Sequence, residues 1–537
     1  MTSKALVECV PNFSEGRDAA VIEAIAQAAR DTPGCRLLDV DPGRSTNRTV
    51  YTFVGTPAAV VEGALAMARV AKDRIDMRRH GGEHPRMGAL DVCPFVPVSG
   101  VTMQECVVCA REFGRRAGEE LGVPIFLYEE AASEPHRKRL SQIRAGEYEG
   151  LGEKLSRPEW RPDFGPAELV PSWGATAAGA RFFLIAYNVN VLGTKEQAHR
   201  IALEVREAGR GPDQPGRLKA VKGIGWYVEE YGLAQVSMNL DNFRVTPPHA
   251  AFEACAEEAR ELKLAVAGSE IVGLIPREAL LMAADHYVER EGLFVVEERH
   301  KVRLAVERLG LSSISPFDPG KRVIEYLIDA DADGPLASSS VRELVEAVGS
   351  RSSAPGGGSS SALIASLGAA LGAMVGWLSY GKRRFEAQDA RMRRLIPPLH
   401  AAMKRLVPMI DADTEAFDDY MAALRLPEHD PKRPGALQAG LRKAVSVPLE
   451  VMRIGDGCWS SLKELAEHGN PASRSDLEVG AKALETGIWG AGRNVLINLP
   501  GLDEGPFEDD TRREVEALTE RARDGLRAVL DALASRG

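Results

Sequence analysis

Cysteine is scarce in this chain: seven occur in 537 residues, at positions 9, 35, 93, 106, 109, 255 and 458. Their number is odd and most sit inside apolar runs. That excludes a disulfide framework and points to core thiols in a reducing compartment. Cys106 and Cys109 have no second pair to complete a zinc site, and no metal is expected there. A basic excess is also missing. The formal net charge is -10, which gives no support to a nucleic-acid partner. The N-terminus lacks a basic segment followed by an apolar core, so no signal peptide and a cytoplasmic location are expected. Charge is absent altogether from Ser352 to Gly381. The heart of that stretch, Ala362 to Leu378, is about the length that spans hydrocarbon. It is built from Ala, Gly and Ser, however, and Gly368, Gly372 and Gly376 recur on one face, as where a second helix approaches closely. A buried helix in a soluble bundle is expected in preference to a membrane span.

What is present is ordinary globular composition, 44% hydrophobic and 27% charged, in a chain too long for one core. The first 330 residues alternate strand and helix patterns. Strands are predicted at 6–10, 35–40, 49–54, 89–98 and 124–128, and helices at 21–29, 57–70 and 104–121. A second run opens with a strand from Arg181 to Leu192, then a helix capped by Thr194 with Gln197. Patterns at 218–227, 233–240 and 248–262 follow. The expectation is two α/β subdomains, 1–183 and 184–328, of sheets covered by helices. Residues 329–337 read as a linker. Its Asp-x-Asp-x-Asp-Gly start resembles a calcium loop, but Ser340 stands where the loop needs Glu. From 338 to 537 the texture is Ala, Leu, Arg and Glu at helical spacing, predicting an all-α helical bundle.

The densest chemistry lies between Arg78 and Asp91, where His80, Glu83, His84 and Arg86 share a segment with Gly81, Gly82, Pro85 and Gly88. Its His80-Gly-Gly-Glu83-His84 core matches an inverted zinc-peptidase pattern. That pattern requires a helix, and two glycines with a following proline prevent one. His84 precedes a proline and is biased to extended backbone at a strand start. On residue type alone, ordinary surface or packing histidines remain the commoner reading. Asp163 to Gly174 is rich in Gly and Pro. It reads either as a linker with a buried tryptophan or as a ligand loop in which Trp173 offers a stacking face.

Two further features stand in the helical part. In the helix around Met409 to Tyr420, Asp413 falls on the apolar stripe of Ile410, Phe417, Met421 and Leu424, while Asp411, Glu415, Asp418 and Asp419 point elsewhere. A carboxyl on a buried stripe has its pKa raised, which suits proton transfer. Periodicity alone leaves that reading level with a structural buried Asp. Ser353 to Ser359 is a glycine-rich turn before a helix, able to present free N–H groups or simply to connect packed helices. Without a lysine it is no phosphate loop.

Four blocks together resemble formiminotransferase-cyclodeaminase: residues 7–16, 45–55, 77–95 and 193–203, with later stretches matching the cyclodeaminase half. The resemblance covers essentially the whole chain. It implies a bifunctional enzyme that moves the formimino group of N-formimino-L-glutamate to tetrahydrofolate and then expels ammonia to leave methenyl-tetrahydrofolate. It places the transferase histidine at His84 and the cyclodeaminase carboxyl at Asp413, with Asp411 as the alternative register. It assigns folate contact to Gly165, Pro166, Ala167, Glu168, Leu169, Val170, Pro171, Ser172, Trp173 and Gly174, of which Pro166 to Leu169 depart most from the family. The glycine-rich turn borders the second site in the family, and residues 474–476 and 494–498 are expected near it. Chemistry agrees, since imidazole can take a proton from an attacking pteridine nitrogen and return it to a departing amine. Asp41 is a candidate to orient that imidazole, and Arg48, Arg79 and Arg86 to hold substrate carboxylates; solvated surface charges are an equal reading of the arginines. The family also implies a ring of dimers and polyglutamylated folate. A transferase whose helical half only assembles subunits is the alternative.

Overall fold

The computed structural model describes residues 5–44, 46–82, 85–329, 334–502 and 506–536. The chain divides into two compact units, residues 1–328 and 329–537. In the first, strands β1 (Leu6–Cys9), β2 (Asn12–Phe13), β3 (Cys35–Gly43), β4 (Arg48–Gly55), β5 (Leu90–Ser99), β6 (Ile125–Glu129) and β7 (Thr176–Ala180) make one sheet. β1 and β2 are two pieces of one extended run, interrupted at Val10 and Pro11, and both lie between β4 and β5. β3 pairs antiparallel outside β4. β7 lies between β5 and β6 and runs parallel to both.

Helices Ala19–Arg30, Pro57–Arg74 and Met103–Arg116 cover one face of this sheet. Their starts are set by Asp18, Thr56 and Thr102, whose side-chain oxygens accept first-turn N–H groups. Strand alternation sends Val7, Cys9, Phe53 and Phe95 into the core beneath them. The cysteines are core groups too, six buried and Cys35 half-buried. Burial pushes the thiols of Cys106 and Cys458 up to about 12, so neither supplies a thiolate at neutral pH.

Four antiparallel strands follow, β8 (Ile185–Val191), β9 (Val221–Val228), β10 (Leu233–Leu240) and β11 (Val266–Val272), ordered β11-β8-β10-β9. Tyr187, Val189, Val191, Val236 and Met238 pack in one cluster with the helices Lys195–Val205, Pro248–Glu261, Arg277–Glu291 and Glu298–Leu309. Val54 and Val96 of the first sheet join this cluster, so the two α/β layers share a core. The strand expected from Arg181 to Leu192 is the shorter β8, Ile185–Val191, and a strand that was not expected, β7, ends just before it at Ala180. β7 escaped the pattern because Thr-Ala-Ala-Gly-Ala has no large apolar residue. Small residues are what the site permits, since a Cβ on Gly179 would overlap the Tyr128 ring.

Among its described residues the second unit has helices and connecting turns and no strand. Its helices include Gly357–Ser379, Asp389–Leu406, Met409–Leu424, Arg433–Asp456, Trp459–His468, Arg474–Asn498 and Pro506–Ser535. The uncharged stretch is the Gly357–Ser379 helix, and its glycines explain its packing. A Cβ on Gly368 would lie 2.7 Å from the Leu484 nitrogen and 2.8 Å from the Gly480 oxygen. Gly487 answers from the Arg474–Asn498 helix, with Ala365 Cβ at 2.7 Å from its own missing Cβ. Gly372 and Gly376 instead admit Leu399, Leu462 and Ile396. Such backbone-to-backbone approach leaves no room for a branched side chain. Gly368→Val should therefore destabilise the helical unit by about 1–3 kcal/mol or more. Urea unfolding followed by helical circular dichroism would read this as a lower midpoint for that unit.

Candidate active sites

Because β5 and β7 are parallel neighbours, the loops that precede them arrive at the same end of the sheet. The histidine loop precedes β5, and the 163–174 segment precedes β7. Gly88 and Gly174 pair directly there. Gly174 has φ +81°, and a Cβ on it would overlap the Met87 carbonyl. Two backbone bonds close the junction: Ala89 N–H donates to the Trp173 carbonyl at 2.7 Å, and Ala175 N–H to that of Met87 at 3.0 Å. Ser14, from the loop after β2, donates its hydroxyl to the Gly88 carbonyl at 2.7 Å.

Asn47 gathers the remaining strands of the site. Its Oδ1 accepts from Gly16 N–H at 3.0 Å and its Nδ2 donates to the Gly81 carbonyl at 3.1 Å. Its own carbonyl lies 2.8 Å from His80 Nε2. That nitrogen therefore carries the proton, while His80 Nδ1 accepts from Arg86 Nε at 3.3 Å. Both ring nitrogens of His80 are thus committed to the protein, and neither is offered to a metal. Burial holds the His80 imidazole below its ordinary pKa, and the Arg86 charge adds to this against the opposing Asn47 carbonyl. Asn47 itself was not singled out by residue type; the signal was a lone Asn in a turn, with φ +49°. His84 and Glu83 lie outside the described residues, as does Ser45.

Arg86 is engaged within the protein. It is buried and ion-paired with Glu149 at 2.7 Å and Glu147 at 3.2 Å, which hold the 147–149 turn against the loop. Arg79 is exposed. Arg48 is half-buried, and burial with the like charge of Arg144 pulls its pKa down while Asp91 and Asp41 act against that. Arg144 is ion-paired with fully buried Asp91, which also accepts from Met87 N–H at 2.9 Å. Asp41 is exposed on β3, in register with Val50.

The 163–174 segment is anchored at both ends and open in the middle. Gly165, at φ +78°, passes where a Cβ would overlap the Val123 carbonyl. Ala167, Glu168 and Leu169 are exposed and Pro166 is half-buried. The Val170 carbonyl then accepts from Trp173 and Gly174 N–H, closing a tight turn. The Pro171 carbonyl takes the Tyr148 hydroxyl at 2.6 Å, and that of Ser172 takes Met77 N–H at 3.0 Å. Trp173 is only 1% exposed, and its indole N–H donates to Thr176 Oγ1 at 3.1 Å. It is a floor beneath the segment, and the stacking face expected from its residue type is not open.

In the second unit Asp413 stands against the start of the Gly357–Ser379 helix. A Cβ on Gly358 would overlap its carboxyl group. Ser359 Oγ lies 3.2 Å from Asp413 Oδ2 and 3.1 Å from Thr414 Oγ1. Burial raises the Asp413 pKa, outweighing the Ser359 side-chain and backbone hydrogen bonds that favour the carboxylate. The stripe differs from expectation. Asp411 is the more deeply buried carboxyl at 6% exposure, and Leu424 is exposed. Asp411 accepts from Leu336 and Ala337 N–H at 2.8 and 2.9 Å, so it ties down the end of the expected linker. Asn494 reaches the same helix start, its amide 3.3 Å from where a Gly357 Cβ would be. Arg474 to Asp476 sit at the far end of Asn494's helix, about 27 Å away by helical rise, and do not reach Asp413 from this chain.

Comparison with known proteins decides the family. The formiminotransferase domain, N-terminal subdomain, matches residues 6–181, the formiminotransferase domain residues 186–329, and formiminotransferase-cyclodeaminase residues 340–517. A formimidoyltransferase-cyclodeaminase of Dictyostelium discoideum is 62% identical over 533 residues, covering 99% of both chains. The chain belongs to the formiminotransferase-cyclodeaminase family. The Gallus gallus formimidoyltransferase-cyclodeaminase is 58% identical over 536 residues, with 99% of each chain covered. A glutamate formimidoyltransferase of Streptococcus pyogenes serotype M1 is 44% identical over 287 residues, which is 53% of this chain and 94% of that one. The histidine loop lies in the first matched region and Asp413 in the third.

His80 supplies a pH test of the first site. Its folded pKa is below the unfolded value of about 6.5, so its contribution to stability is complete above that pH. It is lost as the pH falls below about 6.5, where the unfolded chain takes up a proton that the fold resists. His80→Gln should be less stable than the parent at pH about 7.5 but lose less on acidification to about 5.5. Thermal melts of the two proteins across that range check this.

Proposed function

We propose that the chain transfers the formimino group of N-formimino-L-glutamate to tetrahydrofolate, releasing glutamate, and then converts 5-formiminotetrahydrofolate to 5,10-methenyltetrahydrofolate and ammonia. The observation that carries this reading is identity to formimidoyltransferase-cyclodeaminases over 99% of the chain. A relative matching about half of the chain is named for the transferase activity alone. The work divides as residues 1–183 and 184–328 for transfer, 329–337 as linker, and 338–537 for deamination. The protein then serves histidine breakdown and one-carbon folate metabolism.

In the transfer, a pteridine nitrogen attacks the formimino carbon and loses its proton to His84. The carbon–nitrogen bond to glutamate then breaks, and the imidazolium returns the proton to the departing amine. What supports His84 is its place in a loop whose flanks, Gly82 and Gly88, are each packed so closely that a Cβ would overlap neighbouring backbone. The neutral, doubly bonded His80 is the weaker candidate, because its proton has no path to a ligand. Residues Gly165 to Gly174 form the folate edge, with Ala167, Glu168 and Leu169 as the open face. Arg48 and Arg79 are the remaining candidates for the substrate carboxylates. In the second reaction Asp413 takes the proton of the exocyclic folate nitrogen and passes it to the leaving ammonia. Its support is the raised carboxyl pKa against a glycine helix start. The reading includes a cytoplasmic homo-oligomer that uses polyglutamylated folate.

His84→Ala should reduce transfer by about 10²–10⁴-fold while leaving ammonia release from supplied 5-formiminotetrahydrofolate intact. Asp413→Asn should do the reverse. Methenyl-folate absorbance and ammonia release, measured separately, read the two steps. Survival of both activities in both variants would overturn the assignment.

A further inference from the structure

Resting on the reading of Asp413 as the proton carrier of ammonia release, we propose that Ser359 and Thr414 form a two-hydroxyl relay that holds its carboxyl group in one place in both protonation states. Ser359 is therefore a positioning residue of the second reaction, and Thr414 its counterpart.

The geometry is short and closed. Ser359 Oγ lies between Asp413 Oδ2 at 3.2 Å and Thr414 Oγ1 at 3.1 Å, and Ser359 is 1% exposed. A hydroxyl has one proton and two lone pairs. When Asp413 is ionised, Ser359 donates to Oδ2 and accepts from Thr414. When Oδ2 carries a proton, the chain reverses: Asp413 donates to Ser359, which donates to Thr414. Only O–H bonds rotate, and no heavy atom moves. Gly358 keeps the carboxyl against this pair, because any Cβ there would displace it.

The reaction needs such symmetry. The exocyclic nitrogen forms its bond to the formimino carbon, and Asp413 takes that nitrogen's proton. The protonated carboxyl then gives the proton to the amino group on the same carbon. The bond from that carbon to the amino group breaks, its electron pair leaves on ammonia, and a ring-nitrogen lone pair completes the methenyl cation. One positive charge is present at the start and at the end. Asp413 is thus base and acid in turn on the same carbon, and a carboxyl that swung between the two roles would lose its alignment.

Several charges on the packed elements are engaged elsewhere, and Lys404 is exposed. On its own helix, Asp411 is bound by backbone N–H groups, and Glu415, Asp418 and Asp419 are exposed. From the Arg433–Asp456 helix, Lys443 pairs with Asp419 at 2.7 Å, Arg442 lies over the Phe507 ring, and Arg433 reaches the Leu424 carbonyl. Arg405 of the Asp389–Leu406 helix pairs with Glu450 at 2.6 Å. The Gly357–Ser379 helix bears no charge. Burial and Ser359 set the Asp413 titration among the described residues.

The test uses the full chain and supplied 5-formiminotetrahydrofolate, with kcat and KM for ammonia release measured from pH about 5.5 to 9. Ser359 hydrogen bonds favour the carboxylate, so Ser359→Ala should move the acid limb of the kcat profile to higher pH. It should also lower kcat by about 10-fold or more, within the range of acid–base assistance, with KM little changed. Ser359→Thr, which keeps the hydroxyl, should restore the parent limb. Thr414→Val should shift the limb in the same direction by less. A Ser359→Ala profile that superimposes on the parent, or falls equally at every pH with a lowered melting point, overturns the relay. Ammonia release surviving in Asp413→Asn would instead overturn the reading beneath it, so the two failures are distinguishable.

Discussion

Gly174 comes so close to Met87 that a Cβ on it would overlap the carbonyl oxygen, and Gly88 meets Ala175 in the same way. Everything in the first site hangs from this junction. β5 and β7 are parallel neighbours, so their leading loops must enter the sheet side by side. Side by side they leave only backbone-to-backbone room. Glycine at the meeting point lets Ala89 and Ala175 exchange bonds with Trp173 and Met87 across it. A loop rich in glycine would otherwise lose much entropy on ordering. Here backbone bonds fix its Met87–Ala89 end, and Asn47 holds Gly81 at the other.

The same constraint recurs in the helical unit with different chemistry. Gly368, Gly480 and Gly487 bring two long helices together, which settles where the start of the Gly357–Ser379 helix lies. Gly358, at that start, leaves space for one carboxyl group, and Asp413 fills it. An apolar stretch long enough for a membrane thus finds its partners in neighbouring helices. Its lack of charge follows from close packing, and its lack of large side chains follows from how close.

Periodicity revealed what depends on local pattern. The capped helices at Thr56, Thr102 and Thr194, the β-branched strand β4 and the alternating strand β10 are legible because local pattern and burial agree there. β7 is not, since its small residues are selected by Tyr128 across the sheet and leave no local signature. The site divided in the same way. Periodicity put Asp413 on the apolar stripe and Asp411 off it, whereas in the fold Asp411 is the more deeply buried of the two. Only the fold shows Asp411 absorbed by two backbone N–H groups and Asp413 by a serine hydroxyl. Arg86 looked like a clamp because arginine beside histidine is a binding pattern. Its partners, Glu147 and Glu149, come from a turn that sequence spacing cannot bring near. Trp173 offered a ring but is the floor of the segment, since the strand that follows it draws the indole inward.

The two candidate proton carriers face opposite demands, and their settings differ accordingly. An imidazole titrates close to neutrality without help, so the first site asks only for position. A carboxyl group titrates about three units too low and must be perturbed before it can act as an acid near neutral pH. The start of a helix is an adverse place for this, because free N–H groups favour the charged form. Ser359 adds to that pull through both its backbone and its side chain. Burial nevertheless wins at Asp413 and leaves the carboxyl raised. The helix start therefore supplies orientation, while the surrounding apolar helices supply the shift. Packing closeness, set by glycine, is what allows both to act on one group.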